Sequence, residues 1–568
     1  MTDPLDGLSK NETIKARSQH LRGTIKEELQ EDTPAFTEEA VNILKFHGVY
    51  QQDDRDRRKE ARALGLGKAH MMMIRTRVPG GVVSPEGYLA HDDIATRWGN
   101  GTLRVTTRQD FQLHGVVKSD LHATIEAINQ ALMTTLGGCG DQERNIMCCP
   151  APIEDDFRQA VRIELARLVP ALTPSTRAYA EIWIDGELTT STAPPDETEP
   201  LYGEQYLPRK FKTAVVLEGD NCVDAYSNDL ALVAMRAPGG GVAGWNVLVG
   251  GGLGRTHNKP ETYPAVAVPM AFVEPDQAVA TARAVVTVQR DFGDRANRRH
   301  ARLKYLVAER GVDWFREQVQ GRLDFTLQAP RDLHWDPVDD HLGWHPQDDG
   351  RWFYGLYVEN GRIGDAGQLR LRTALRSIVE SLRLVVHLTP QQNVILTGIA
   401  ASDRERVEAI LRDHGVPLSE DVSRTLRNSM ACPAYPTCGL AVAEAERILP
   451  GLIRRIEKMV AELGLQDEAI SWRMTGCPNG CARPYLGDVG FVGTTLGKYD
   501  VYLGGDFEGT RLNTLYARNV PLAEIPDLLR GPLETFRDQR RPSEGFGDFC
   551  DRVGVATLTE RVSPVVAT

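Results

Sequence analysis

The 568-residue sequence predicts an α/β fold with mixed sheets, divided into three domains and built around an internal two-fold repeat. From Met71 onward, short apolar segments separated by proline and glycine alternate with helical stretches, a pattern typical of mixed sheets covered by helices. A segment near Thr106 recurs near Thr389. The chain is also too long for one hydrophobic core, so several folding units are expected.

The repeat is visible where LRVTTRQDFQLHGV can be laid on VHLTPQQNVILTGI at a constant offset of 283 residues. The matching pairs are Thr106 and Thr389, Gln109 and Gln392, and Gly115 and Gly398. Each copy follows a V-x-x-G turn and a helical segment and precedes another helix, so the match covers a whole α+β unit. We therefore predict a duplication, with a ligand at the junction of the two copies.

The duplication divides the chain into an N-terminal segment and three domains. The charged segment 1–65 is predicted to be an extended arm that wraps the rest of the protein, and a solvated tail is an equally good interpretation. The predicted domains are the duplicated pair 66–136 with 337–401, the segment 137–336 between its halves, and the segment 402–568 that carries the paired cysteines.

Composition excludes several classes of protein. A net charge of −12 argues against a nucleic-acid binder. No apolar run approaches the roughly 20 residues of a membrane helix, and the first fifteen residues lack the apolar core of a signal peptide. We therefore expect a cytoplasmic protein. In that compartment the nine cysteines favour metal or redox chemistry over disulfides.

Four of these cysteines form two close pairs. Cys432 and Cys438 lie in MACPAYPTCGL, and Cys477 and Cys481 lie in TGCPNGCARP, which gives spacers of five and three residues. Zinc prefers tighter knuckles. Proline and glycine keep both pairs in irregular loops that can surround a larger object, so a cubane iron–sulfur cluster fits better. The segment AVAEAERILPGLIRRIEKMVAEL between the pairs is predicted to be a helix.

No regular spacing groups the other five cysteines, so we predict that they pack in the interior. Packing is also the alternative interpretation for the four paired cysteines. Cys148 and Cys149 could lie near the site through their neighbour Arg144. The five are Cys139, Cys148, Cys149, Cys222 and Cys550.

Two segments place cations on one face of a predicted strand. In GTLRVTTRQDFQLHGV, the alternation of side chains predicts one polar face. Its members are Arg104, Thr106, Arg108, Asp110, Gln112 and His114. In YLPRKFKTAVVL, Lys210 and Lys212 fall on one side and Arg209 falls on the other. Either segment alone could be a solvated sheet face, but two of them in an acidic protein indicate a site for an oxyanion or a carboxylate.

A glycine-rich segment, NVLVGGGLGRTHNK, superficially resembles a dinucleotide-binding turn. His257 occupies the position of the third glycine, and no acidic residue follows in a clear βαβ setting. We therefore predict no direct NADPH binding, so electrons must come from a partner. A turn that lets the backbone approach a cofactor closely is the remaining interpretation.

The two cysteine loops, NSMACPAYPTCGLAVAEAERILP and RMTGCPNGCARPYLGDVGFVG, resemble those of the sulfite and nitrite reductase haemoprotein family. The resemblance extends over nearly the whole chain through FHGVYQQDDRD, RVPGGV, YLPRKFKT, NVLVGGGL and EGFGDF. Within the family, it is greatest to the NADPH-type assimilatory sulfite reductase beta component. The residues beside the cysteines in ACPAYPTCGL and CARPYL depart from the expected ones, which puts the reduction potential and partner docking in question, not the ligands.

The resemblance implies a three-domain haemoprotein fold with a ferredoxin-like duplicated domain. It also implies a [4Fe–4S] cluster on Cys432, Cys438, Cys477 and Cys481, with Cys481 bridging to a sirohaem iron. The residues implied to surround the substrate are Arg75, Arg144, Lys210 and Lys212. The residues implied to hold the sirohaem are Arg104, Thr106, Arg108, Gln112, His114, Arg209, Lys304, Gln392 and Asn479.

The implied reaction is the six-electron reduction of sulfite to sulfide, with protons from Lys210, Lys212 and water. No flavin-binding segment is recognisable, so the resemblance implies a flavoprotein alpha subunit with FAD and FMN as electron donor, or ferredoxin in its place. A sirohaem nitrite reductase stays open as an alternative, although RNIMCC after Glu143 looks more like the sulfite branch. An iron–sulfur electron carrier or a zinc protein would leave the basic segments without a purpose.

Overall fold

The computed structural model describes residues 5–184, 199–336 and 340–560. Within these ranges the chain forms four five-stranded sheets and one two-stranded sheet, with helices packed around them. This architecture confirms the predicted α/β class with mixed sheets. No helix in the described ranges has the length and apolar character needed to span a bilayer.

The first two sheets have the same antiparallel order. In the first sheet the strands are, in spatial order, Val49–Asp53, His70–Thr76, Phe111–Val116, Leu103–Val105 and Arg362–Ile363. In the second sheet they are Gly343–Pro346, Trp352–Leu356, Val394–Ile399, Val385–Leu388 and Val82–Val83. Strand for strand, the second sheet repeats the first, which confirms the predicted duplication.

Each repeat unit contributes a short strand to the sheet of the other unit. Arg362 pairs with Arg104 in the first sheet, and Val82 pairs with His387 in the second. Arg104 and His387 are equivalent at the offset of 283 residues. The exchange is therefore reciprocal, and the two units form a pseudo-two-fold pair rather than two separate domains.

The turn between the two central strands is also repeated. In the first unit, Thr106 Oγ1 accepts a hydrogen bond from the Asp110 amide at 3.2 Å. In the second unit, Thr389 Oγ1 accepts the equivalent bond from the Asn393 amide at 3.0 Å. Such side-chain bonds to the local backbone stabilise tight turns, so the shared threonine explains why this segment shows the repeat most clearly.

Gly361 allows the two units to approach each other at the pseudo-two-fold contact. It has a φ of +74°, and a Cβ there would overlap the Val105 carbonyl oxygen and lie against Gln392. We expect Gly361→Ala to cost about 3 kcal/mol, because it adds a backbone clash to left-handed strain. Gly350→Ala is the matched control, since Gly350 has a φ of +83° and open space around it. Calorimetry should show a lower melting temperature for Gly361→Ala than for Gly350→Ala. An equal decrease of the melting temperature in the two variants would contradict the close contact at Gly361.

Helices cover both sheets of the duplicated pair. They are Pro85–Arg97, Leu121–Gln130, Leu371–Leu382 and Arg404–Asp413, and a two-stranded ribbon, Asp365–Ala366 with Leu369–Arg370, precedes the third. Ser84 caps the first of these helices by accepting from the Gly87 amide at 3.0 Å, as Ser does at helix N-termini. The third buries Leu371, Leu375 and Ile378 on one face, the spacing of a helix that packs on a sheet.

The N-terminal segment is more structured than the extended arm that the sequence predicts. It contains the helices Lys10–Ala16, Ile25–Leu29, Glu38–Leu44 and Arg58–Ala63, besides the edge strand of the first sheet. Leu21, Ile25 and Leu44 are fully buried in the main hydrophobic core. The expectation of an arm is therefore corrected. The many charged residues between these apolar positions hid the helical pattern.

The third and fourth sheets are mixed and share one topology. The third sheet contains, in spatial order, Met147–Cys148, Thr213–Leu217, Leu230–Arg236, Val242–Val249 and Val268–Val273. The fourth contains Ser429–Ala431, Trp472–Thr475, Val489–Thr495, Lys498–Leu503 and Thr514–Pro521. In each, two parallel pairings are followed by two antiparallel ones. This second duplication was not predicted from the sequence.

Most of the remaining helices pack around these two sheets. Those of the third sheet are Asp156–Leu172, Ala278–Phe292, Leu303–Arg310 and Val312–Gln320. The helix Ala178–Trp183 instead packs on the helix Leu121–Gln130. Those of the fourth sheet are Arg424–Arg427, Leu449–Glu462, Ile525–Gln539, Phe546–Val553 and Val555–Glu560. The predicted helix between the cysteine pairs is therefore shorter than expected. It begins at Leu449 because the preceding residues remain part of the first cysteine loop.

Candidate functional site

A row of polar side chains crosses the first sheet. Arg75 pairs with Gln112, Gln112 pairs with Arg104, and Arg104 pairs with Arg362. Directly opposed residues on neighbouring strands share a face, so four strands present three guanidinium groups and one amide side by side. With its amide oriented to satisfy both atoms, Gln112 accepts from Arg75 Nε at 3.2 Å.

The predicted single strand from Arg104 to His114 is a hairpin, which corrects the expected alternation. Residues 106–110 form the turn, and Arg108 reaches from it to the third sheet, where its NH1 donates to Asn228 Oδ1 at 2.9 Å. The Thr106 hydroxyl accepts from the Arg108 amide at 3.1 Å and organises the turn. Side-chain alternation along a sequence does not reveal a turn. Strand pairing and the geometry of the turn, rather than one continuous strand, place the residues from Arg104 to His114.

The four paired cysteines lie on two loops that follow neighbouring parallel strands. Cys432 follows Ser429–Ala431, and Cys477 follows Trp472–Thr475 after one glycine. The Gly476 amide donates to Cys432 Sγ at 3.5 Å. Cys432 and Cys477 are buried, Cys438 is partly exposed, and Cys481 is exposed. The sheet therefore brings together all four predicted ligands, with one thiol directed outward.

The cysteine set is wider than the ligand shell of a single ion. In the described part of the chain, one group alone places three possible ligand atoms of His, Cys, Asp or Glu within 4.8 Å of one another, and it contains none of these four cysteines. Sulfurs around one tetrahedral zinc ion would be about 3.8 Å apart. This spacing supports the predicted cluster over the zinc alternative.

Arg55 in the N-terminal segment holds the first cysteine loop. Its guanidinium group donates to three loop carbonyls, those of Pro436 at 3.0 Å, Ala441 at 2.9 Å and Cys438 at 2.8 Å. It also stacks over the Tyr435 ring at 4.4 Å. The planar fork of arginine suits such a multiple contact, so this residue fixes the loop around Cys438.

We expect Arg55→Lys to make the cluster labile, because lysine cannot satisfy three carbonyls in one plane. Loss of such supporting contacts typically costs 10-fold to 100-fold in metal affinity, so bleaching in the presence of a chelator should accelerate by about 10-fold. Arg57→Lys is the matched control, since Arg57 is exposed. Identical bleaching rates in the two variants would contradict the role of Arg55.

A partly enclosed cavity opens above Cys481. Four predicted site residues besides Cys481 line it. They are Arg108, Lys210, Lys212 and Asn479. Arg302 and Arg483 also line it, so cations surround the exposed thiol. Such a cavity attracts anions even though the protein as a whole is acidic.

The two lysines in this cavity are poorly solvated and repel each other. Burial, followed by the Arg302 and Arg209 guanidinium groups, lowers the pKa of Lys210 to about 7. Burial and then Lys210 itself lower the pKa of Lys212 well below its usual value. A lysine with a pKa near neutrality can release and regain a proton, as a general acid must.

Arg75 and Arg144 do not line the cavity, but they converge on one acceptor. Arg75 NH1 donates to the Gly138 carbonyl at 3.3 Å, and Arg144 NH1 donates to the same oxygen at 3.4 Å. Arg144 Nε also donates to the Gly140 carbonyl at 2.9 Å. The loop carbonyls thus place two cations close together, which is the arrangement expected for residues around an oxyanion.

Arg104 joins the first sheet to the cysteine loops. Its guanidinium group pairs with Glu446 and donates to the Ala431 carbonyl at 2.8 Å, next to Cys432. Arg362 binds the same carboxylate, with Nε 2.7 Å from Glu446 Oε1. Burial opposes ionisation of Glu446, but these two arginines outweigh it and lower its pKa to about 2. Arg104 is therefore engaged by the protein, and its contact to a cofactor stays a prediction.

Several buried polar atoms around this region have no partner among the described residues. Both ring nitrogens of His114 are unpaired, as are Arg108 Nε and Gln392 Oε1. Burial, reinforced by Arg362 and Arg104, lowers the pKa of His114 to about 3, so it is neutral. Unpaired buried groups are costly. The arginines and lysines supply donors that fit the carboxylates of a cofactor such as sirohaem, and Gln392 Oε1 adds an acceptor.

Lys304 and Arg209 lie at the edge of this region. Lys304 Nζ donates to the Gly252 carbonyl at 3.0 Å and to the Gly254 carbonyl at 2.8 Å. Burial and then Arg302 lower its pKa to about 6. Burial, followed by Arg298, lowers the pKa of Arg209 to about 10. Lys304 thus supports the glycine turn, and neither residue lines the cavity itself.

The glycine-rich turn contacts the second cysteine loop. Gly254 lies against the Asn479 carbonyl, and the Arg255 amide donates to the Pro478 carbonyl at 2.9 Å. The turn also lines the cavity through Gly254. The turn therefore approaches the second cysteine loop closely, and its close approach to a cofactor stays a prediction.

Sequence reasoning missed two arginines of the cavity. Arg302 forms a buried pair with Asp229, with NH2 2.7 Å from Oδ2. Arg483 pairs with Asp224 and donates to the Thr107 carbonyl at 3.1 Å. Signals existed for both, because Arg302 precedes Lys304 by two residues and Arg483 follows Cys481 by two residues.

This fold and site define a redox protein with a four-cysteine centre beside a basic cavity, and comparison with known proteins supplies its family. The sequence matches the description "Nitrite and sulphite reductase 4Fe-4S domain" at residues 166–327 and 423–567. It matches "Nitrite/Sulfite reductase ferredoxin-like half domain" at residues 66–131 and 345–414. The chain belongs to the nitrite and sulphite reductase family. Each description matches twice, in agreement with the two duplications.

Relatives resemble the chain over nearly its full length. The Synechococcus elongatus protein named "Sulfite reductase [ferredoxin]" is 45% identical, covering 97% of this chain and 90% of the relative. The Staphylococcus saprophyticus "Sulfite reductase [NADPH] hemoprotein beta-component" is 44% identical, and the match covers 97% of this chain and 96% of the relative. The 4Fe-4S domain and the haemoprotein relatives imply a [4Fe–4S] cluster and a sirohaem, and the chain is an oxidoreductase of this family.

A solved structure agrees on the fold. The structure described as that of the Mycobacterium tuberculosis NirA protein has a TM-score of 0.76 and covers 98% of each chain at 22% sequence identity. At this identity the likeness concerns the fold alone.

Proposed function

We propose that this protein reduces sulfite to sulfide with six electrons, at a sirohaem linked to the [4Fe–4S] cluster through the thiolate of Cys481. The observation that carries the proposal is the position of Cys481. It is the exposed member of the four cysteines, and it lies in the cavity that Lys210 and Lys212 line. A thiolate in that place can contact a buried cluster on one side and a cofactor in the cavity on the other.

Four cations are proposed to act on the substrate. When bound, the sirohaem supplies the iron at which sulfite is reduced, and the cluster supplies electrons. Arg75 and Arg144, which share the Gly138 carbonyl, would bind the oxygens of sulfite and offset their charge. Lys210 and Lys212 would donate the protons that convert those oxygens to water, which their lowered pKa values favour.

The remaining predicted residues are proposed to hold the sirohaem carboxylates or to line its pocket. Arg108 and Asn479 line the cavity, and His114 and Gln392 carry unpaired buried atoms. The others in this set are Arg104, Thr106, Gln112, Arg209 and Lys304. We further propose three domains. The duplicated pair 66–136 with 337–401 and the segment 137–336 would both bind substrate and sirohaem, and the segment 402–568 would hold the cluster and contact the sirohaem.

Electrons are proposed to come from a flavoprotein alpha subunit with FAD and FMN, with reduced ferredoxin as the alternative. The relatives include one named for ferredoxin and several named as NADPH-type beta components, and these names support a partner that passes electrons to the chain. The cluster loop could receive electrons at its surface, because Leu440, two residues after Cys438, is 68% exposed. A cytoplasmic location stays a prediction.

Nitrite reduction is the second candidate, because the matching family description covers nitrite as well as sulphite reductases. The test is turnover of sulfite and nitrite by the purified protein with a chemical electron donor, with sulfide and ammonia measured as products. The proposal predicts a higher kcat/KM for sulfite and six electrons consumed for each sulfide formed. A higher kcat/KM for nitrite would replace it with the second candidate.

A further inference from the structure

A compact group of metal-ligand side chains lies outside the proposed active site. Cys149, Asp220 and His341 bring a thiol, a carboxylate oxygen and a ring nitrogen within 4.8 Å of one another. No other such trio occurs in residues 5–184, 199–336 and 340–560. None of the three lines the cavity above Cys481, so the group needs an explanation of its own.

The group occupies the counterpart of the cysteine site in the second duplication. Cys149 directly follows the edge strand Met147–Cys148 of the third sheet, as Cys432 directly follows the edge strand Ser429–Ala431 of the fourth. The sequences around them, RNIMCCP and RNSMACP, align at the same offset of 283 residues as the first repeat. Asp220 lies on the loop after the neighbouring parallel strand, Thr213–Leu217. The third sheet thus presents ligand side chains where the fourth presents cysteines.

Local contacts hold the first two side chains in place. Asp220 Oδ1 accepts a hydrogen bond from the Cys222 amide at 2.9 Å, which fixes the carboxylate. Its other oxygen, Oδ2, accepts from Cys149 Sγ at 3.0 Å. The Cys222 side chain lies against the Cys149 thiol as well. Metal ligands are commonly oriented by bonds of this kind to their second atoms.

His341 is held toward the group by an unusual backbone. Its φ of +53° lies in the left-handed region, which non-glycine residues rarely adopt without a reason. Its carbonyl packs so closely on Gly355 that a Cβ there would overlap it. Its buried Nε2 atom has no hydrogen-bond partner among the described residues. The His341 ring and the Cys149 thiol face each other, as two ligands of one metal ion would.

We propose that Cys149, Asp220 and His341 bind one zinc ion, with the Cys222 thiol beside the fourth position. Thiolate, imidazole and carboxylate are the ligands that zinc takes. Ligand atoms about 2.0–2.3 Å from a tetrahedral zinc ion are roughly 3.3–3.8 Å apart, which small side-chain rotations reach from the present spacing. The Cys149 proton is released to solvent on binding. The ion would tie the start of the second repeat unit to the third sheet.

The test is zinc content measured on the holoprotein. Protein with its full complement of iron would be incubated with Zn²⁺, passed through a desalting column and analysed by mass spectrometry of the metals. We expect about one zinc per chain in the parent protein, and loss of that zinc in Cys149→Ser and in His341→Gln with iron unchanged. Cys148→Ala is the matched control, because Cys148 is buried in the main core, and it should retain the zinc.

X-ray absorption at the zinc edge should show one or two sulfur neighbours at about 2.3 Å together with nitrogen or oxygen at about 2.0 Å. Three results would each overturn the proposal. They are parent protein without zinc, zinc retained in both ligand variants, and a disulfide between Cys149 and Cys222 in the freshly isolated protein. If a ligand variant fails to fold, the parent measurements alone still decide the question.

Discussion

Cys481→Ser is expected to abolish sulfite reduction, with turnover at least about 10³-fold below that of the parent protein. Serine is a poor ligand for iron, and at this position it would break the proposed link between cluster and sirohaem while also removing a cluster ligand. We expect loss of the long-wavelength haem and cluster absorption together with loss of acid-labile sulfide. Absorption spectroscopy and iron and sulfide analysis measure these changes directly.

The matched control for this variant is Cys550→Ala. Cys550 lies fully buried in the same cluster domain and outside the two cysteine loops. The Cys550→Ala protein should keep its cofactors and most of its activity, and only its free energy of unfolding should decrease. A Cys481→Ser protein with normal absorption and turnover would contradict the bridging role.

Lys210→Met and Lys212→Met are expected to slow sulfite turnover by about 10² to 10³-fold while retaining both cofactors. Methionine preserves most of the side-chain volume but can neither donate a proton nor carry charge. Absorption spectra should match those of the parent protein, which separates this effect from cofactor loss. The two variants should combine less than additively, because the lysines repel each other and act in one cavity.

The pH profile supplies a second measurement for Lys210. Its pKa in the folded protein is lowered to about 7, so the protonated, proton-donating form is present below that pH and is lost as the pH rises through it. Turnover in the parent protein should therefore decline on the alkaline side of about pH 7, and Lys210→Arg, whose guanidinium keeps the charge but does not release a proton, should lower turnover and lose that decline. An unchanged profile in Lys210→Arg would remove Lys210 from proton delivery.

Much of the site could be predicted from short sequence patterns. Cys432, Cys438, Cys477 and Cys481 were recognisable because their spacing and the surrounding proline and glycine residues are local properties. Lys210 and Lys212 were grouped because a spacing of two places side chains on one side of an extended chain. The first duplication was recognisable because Thr106 and Thr389 perform the same turn function.

Other features depend on pairing between distant segments, which one sequence does not show. The row of Arg75, Gln112, Arg104 and Arg362 exists only because four strands align in register. The hairpin at residues 106–110 was misread as one strand because its flanking residues keep the alternation. The second duplication does not show in the sequence, because the third and fourth sheets share a strand topology and only the short RNxMxCP segment of sequence.

The central claim is that Cys481 joins the cluster to the sirohaem as one centre. Mössbauer spectroscopy of ⁵⁷Fe-enriched protein tests it most directly, since it reports the cluster iron and the haem iron separately. In the oxidised protein we predict that the cluster iron shows magnetic splitting transmitted from the haem iron through a shared ligand. Cluster iron that gives an unsplit diamagnetic doublet beside a magnetic haem signal would contradict the shared thiolate.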